Sequence, residues 1–82
     1  MDAIAMVADL RQHLRDRFSL TQGEAEIVAA LSTGMTVTEH ATQRGVSVHT
    51  VRTLLKRAMA KTHCTRQAQL VALALGGAKP GA

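Results

Sequence analysis

The side chains best equipped to recognise a partner are gathered between Ser47 and Lys61. His49, Arg52, Thr53 and Lys56 recur three and four residues apart, with Ala60 beyond them, a spacing that places them on one face of a helix. That face carries no acid. A guanidinium and an ammonium one turn apart match the acceptor pairs that guanine shows in the major groove of duplex DNA, a groove wide enough for a helix. The opposite face, Val51, Leu55, Ala58 and Thr62, has the spacing of a stripe that meets a core. Basic runs more often serve only solubility, so the reading depends on what surrounds the stretch.

Other chemistry finds little support. His63 and Cys64 are adjacent and therefore diverge, and the chain has no CxxC or HxxxH spacing to hold a metal. No nucleophile, base and orienting group come together, and no glycine loop is built to cradle phosphate. Neither an enzyme nor a cofactor is expected.

Composition narrows the partner. At 82 residues the chain makes one small domain, which buries only about 60% of its unfolded surface, so burial in a dimer would help it. One cysteine excludes an internal disulfide and fits a reducing compartment. No apolar run is long enough to span a membrane and no signal peptide is evident, so a cytoplasmic protein, close to the nucleoid, or the cytoplasmic part of a larger one is expected. The net charge of +4 is unevenly spread: residues 1–39 hold six acids and three bases, residues 40–82 seven bases and no acid. Such asymmetry points to a polyanion. With Phe18 the only aromatic residue, neither a membrane surface nor a single strand gripped by stacking fits well. Duplex DNA is the best match.

The elements that must hold the basic face can be read in order. Residues 1–18 predict an N-terminal helix with the stripe Ala3, Val7, Leu10, Leu14 and Phe18. Thr21 with Glu24, and Thr36 with Glu39, are capping boxes that open two further helices. The first carries Glu24, Ile27, Val28 and Leu31 inward and closes at Thr33-Gly34; the second turns Val37 and Ala41 inward and closes at Gly45. Ser47 caps the basic helix, which makes a helix-turn-helix with the one before it. Thr65 is expected to cap a last helix, apolar on nearly every side, that packs Ala68, Val71, Ala72 and Leu75 inward. That leaves Leu70, Leu73 and Ala74 for a second copy of the chain. Residues 76–82 read as a flexible tail.

Residues 20–73 resemble the LuxR/GerE-type DNA-binding domain of bacterial transcription regulators. Leu20-Thr21 with Glu24, Glu26, Ile27 and Val28 looks like that family's opening helix, and Gly34-Met35-Thr36 with Glu39 and Ala41 like its supporting helix. Val46-Ser47-x-x-Thr50-Val51-Arg52 is similar to the start of its recognition helix; Lys61 and Arg66-Gln67-Ala68-Gln69-Leu70-Val71 match its close. The resemblance implies an all-α fold of four helices, here spanning 19–75, preceded by one extra helix. It implies base contacts from Val48, His49, Arg52, Thr53 and Lys56. Phosphate contacts would come from Thr21, Thr36, Ser47, Thr50 and Lys61, with Arg57 beside them. The fourth helix would form a homodimer.

His40 and Arg44 stand where that family usually has Ile and Leu. Arg44 is expected to swing outward to a phosphate or partner and His40 to be hydrogen-bonded at the boundary of the core, with a pH-sensitive packing role as its alternative. Replacing both with apolar residues should then raise stability. The same two residues favour the competing function, a helix-turn-helix that docks on a regulator or RNA polymerase, like the fourth region of a sigma factor, without reading DNA.

Overall fold

Hydroxyl side chains set three of the helix starts. The computed structural model describes residues 3–76, with side chains from residue 10 onward, and within that span it contains five helices and no strand. They are α1 (Ala3–Phe18), α2 (Gln22–Ser32), α3 (Val37–Arg44), α4 (Val48–Lys61) and α5 (Gln67–Ala74). Both capping boxes form. Thr21 accepts from the Glu24 amide while Glu24 accepts from the Thr21 amide, and Thr36 and Glu39 repeat the exchange. Ser47 accepts from the Thr50 amide at 3.1 Å. Gly45, at φ 69°, takes the left-handed turn that stops α3 two residues before that cap. The last cap differs from expectation. Gln69 reaches back, and its Oε1 accepts from the Thr65 amide, the Thr65 hydroxyl and the Arg66 amide, so α5 starts at Gln67.

Every other helix packs against α2. Seven of its eleven residues are buried, among them Ile27, Val28 and the small Ala25 and Ala29, which let neighbours approach closely. Leu14 of α1, Ala41 of α3, Val51, Leu55 and Ala58 of α4, and Leu70 and Ala74 of α5 complete the core. The inner face expected of α4 is therefore the observed one, Thr62 included. For α1, Leu10, Leu14 and Phe18 pack as expected, whereas the side chains of Ala3 and Val7 lie outside the described residues, as does the expected tail beyond Gly76.

Helix α5 is rotated from its expected setting. Leu70 and Ala74, expected at a dimer contact, are 1% and 5% exposed inside their own domain, while Leu75, expected inward, is 62% exposed. The physical reason lies in the sequence Leu70-Val-Ala-Leu-Ala-Leu75: Leu70/Ala74 and Val71/Leu75 are equivalent stripes one residue apart. A helix apolar all round carries no polar face to fix its rotation. Of the three residues expected at a dimer contact, only Leu73 keeps part of its surface free of its own domain.

Arg44 also departs from expectation. It turns back to the carboxylate of Glu26 on α2, which is nearly buried and is approached as well by Gln22 at 3.2 Å and by Arg11 of α1 at 3.9 Å. His40 is buried beside this cluster, but its Nδ1 has no hydrogen-bond partner among the described residues. Glu26 thus joins α1, α2 and α3 through one side chain, and removing Arg44 would leave its charge poorly matched. We therefore expect Arg44→Leu to lower stability, by about 1–3 kcal/mol, below the usual loss for a broken buried pair because the guanidinium is half in water. Chemical denaturation of the variant against the parent measures it; an unchanged or raised midpoint would show that Glu26 does not depend on Arg44.

Candidate nucleic-acid interface

The inward stripe of α4 leaves a defined outer face. His49, Arg52, Lys56 and Arg57 are exposed, Val48 and Thr53 are half-buried at its edge, and no acid pairs with any of these bases among the described residues. The Thr53 hydroxyl donates to the His49 carbonyl at 3.0 Å, so toward a partner it can offer an acceptor and its methyl group. Arg52 and Lys56, one turn apart, keep their charged donors free to turn outward. The first turn of α4 contains no acid, unlike those of α2 and α3, so its partial positive charge adds to that of the bases.

The hydroxyls expected to meet phosphate stand at helix starts. Thr21, Thr36 and Ser47 are the N-caps of α2, α3 and α4, and all three are exposed. As a cap, a hydroxyl uses only its oxygen as acceptor and keeps its hydrogen to give elsewhere. Ser47 and Thr50 are also bonded to each other at 3.0 Å, an arrangement that uses one of their two hydrogens and leaves one to donate outward.

Lys61 does not stand free with them. Its ammonium lies 2.6 Å from Glu24 Oε1 and 3.4 Å from the carbonyl of Ser19, which holds the left-handed φ of 56° at the turn between α1 and α2. Glu24 is almost wholly buried, and its carboxylate joins the start of α2 to the end of α4. Burial pushes the Glu24 carboxyl up, but the Lys61 ammonium and the bonds from Thr21 outweigh it and hold the group below its ordinary 4.5. This pair was hidden by the expectation that a terminal lysine meets phosphate. The signal was present nonetheless: Glu24 shares the inward spacing of Ile27, Val28 and Leu31, and a buried acid requires a cation. Lys61→Ala should cost about 1–3 kcal/mol of stability in the absence of DNA. Glu24 stabilises fully above pH 4.5, and that contribution disappears as pH falls through its lowered value. The variant should therefore lose the acid-dependent part of its unfolding curve near that range; a variant as stable as the parent at neutral pH would leave Lys61 free for phosphate.

Comparison with curated proteins and with solved structures gives no significant match. The family comparison does: residues 18–74 match the bacterial regulatory proteins of the luxR family. The matched segment begins at the last residue of α1 and ends with α5, so it contains the whole α2–α5 unit with the exposed basic face of α4. By that match the chain belongs to the luxR family of bacterial regulatory proteins, and its helix-turn-helix is a DNA-binding domain of transcription regulation.

Proposed function

We propose that the chain reads a specific duplex sequence with α4 in the major groove, as a cytoplasmic transcription regulator. The observation that carries this reading is the outer face of α4, basic, free of acids and backed by a buried stripe that fixes which way it points. Arg52 and Lys56 carry base discrimination, with Val48, His49 and Thr53 around them. Thr21, Thr36, Ser47, Thr50 and Arg57 hold phosphates. Lys61 positions α4 from behind. Residues 19–75 form the reading unit and residues 1–18 an added helix that buttresses α2. The docking-module alternative draws on the polar residues His40 and Arg44 in the support helix; His40 is buried and Arg44 is paired with Glu26, which supports the DNA reading over it.

Selection of bound duplexes from a random library, with parent and Arg52→Ala in parallel, tests the assignment. The parent should enrich one motif. Arg52→Ala should fold normally and lose about 1–3 kcal/mol of discrimination at one or two positions. An unchanged motif in the variant removes Arg52 from the reading face, and no enrichment by the parent removes sequence-specific reading altogether.

The reading includes a homodimer, on a surface revised by the rotation of α5. Its outer side forms an apolar groove of about 540 Å³ with the end of α4, lined by Cys64, Ala68, Ala72 and Leu73 among others, and exposed Leu75 follows it. A two-fold contact uses one such patch twice and presents two α4 helices to half-sites about one helical turn apart. Leu73→Glu should give a folded monomer that binds the full site far more weakly, because the gain from joined half-sites is lost. Sedimentation with and without DNA decides this; a parent that stays monomeric in both sinks the dimer.

A further inference from the structure

Three of the four histidines, His13, His49 and His63, are exposed; His40 is 6% exposed on the inner side of α3. Its Nδ1 reaches neither solvent nor a hydrogen-bond partner among the described residues. A neutral imidazole tolerates that position, because one of its two nitrogens carries no hydrogen. An imidazolium does not: it has an N–H at both nitrogens, and the one at Nδ1 would meet no acceptor.

The charged groups facing the ring are Arg44 on its own helix, Glu26 on α2 and Arg11 on α1, all beside one cleft of about 270 Å³. Helix α4 also packs on α3, but its Arg52, Lys56 and Arg57 are exposed and its Lys61 is paired with Glu24. Glu26 favours the charged ring and Arg44 opposes it, and since these two are bonded to each other their effects offset. Burial decides, and with Arg44 it holds His40 below its ordinary 6.5.

We propose that the support helix α3 is a proton-operated element: protonation of His40 unseats it from α2. The ring can take a proton and hydrate it only by leaving its place, and α3 must move with it, since the helix is only eight residues long and is held by Val37, His40, Ala41 and the Arg44–Glu26 pair. Release would reach α4 through the turn at Gly45. Only that consequence for DNA rests on the reading given above; the release itself does not.

The direction follows from linkage. Above pH 6.5 the ring is neutral whether seated or released, and the seat is fully stable. Below it the released ring binds a proton that the seated ring refuses, so the release constant rises by up to about tenfold per pH unit, until the seated ring titrates too.

Amide hydrogen exchange of the full chain between pH 7.5 and 5, corrected for intrinsic rates and without DNA, tests this. In the parent, α3 amides should lose protection relative to α2 as pH falls below 6.5, and His40→Leu should abolish the difference. Should His40→Leu not fold, His40→Gln supplies a polar side chain that does not titrate. An α3 whose protection stays level with α2, or falls equally in the variant, overturns the proposal. Because no duplex is present, that result leaves the DNA reading standing, and failure of DNA selection leaves this one standing.

Discussion

A short helix touched by four others has little surface left for water. Helix α2 is in that position, and its two glutamates are carried into the interior with its alanines, Ile27 and Val28. Buried carboxylates stay charged only where cations and donors meet them. Glu24 is met by Lys61 and its own cap, Glu26 by Arg44, Gln22 and Arg11. These two requirements organise the domain, since one draws in the end of α4 and the other draws in α1 and α3. Packing alone would bring the helices together. The carboxylates add directional bonds that set which ends meet.

The same pairing sorts the charge. The bases that find acids are Arg11 of α1, Arg44 of α3 and, at the last residue of α4, Lys61. Those on its outer face, Arg52, Lys56 and Arg57, find none among the described residues. Glu39 is held in the α3 cap, so it too is kept from the face. The acidic first half of the sequence therefore does not cancel the basic face of α4: Glu24, Glu26 and Glu39 are taken up in the scaffold and its caps and leave that face positive. That arrangement favours attraction of a polyanion at long range, weakening as salt rises.

What could be read before folding followed from local chemistry. Thr21 with Glu24, Thr36 with Glu39, Ser47 and Gly45 mark helix ends because a cap or a left-handed turn needs only its near neighbours. The stripe Val51, Leu55, Ala58, Thr62 fixed the rotation of α4 because polar residues fill the other side. The same logic failed on α5, where Leu70/Ala74 and Val71/Leu75 offer equal stripes and only contact with α2 selects one. It failed again for Arg44 and Lys61, whose partners lie 18 and 37 residues away. A long flexible cation reads as exposed until a buried acid is known to need it. Gln69 was missed as a cap because its side chain reaches back from inside the helix, where a hydroxyl before it was the expected acceptor of the cap bond.

On the proposed dimer, the central place of α2 has one more consequence. Helix α5 rests on α2 through Leu70 and Ala74, and α4 rests on it through its buried stripe and the Glu24–Lys61 pair. A two-fold contact through the outer side of α5 would then fix the direction of α4 with only α2 between them. Close-packed interiors transmit displacement rather than absorb it, so the separation of the two reading helices would be set by a stack of three elements. Helix α3 stands outside that line. It adjoins α4 at its start, through Gly45 and the Ser47 cap, and its seat on α2 includes a buried ring with one bare nitrogen. The spacing between half-sites and the entry angle of each helix would therefore be governed by different contacts, one a largely apolar stack joined by the Glu24–Lys61 pair, the other a seat built around the His40 ring.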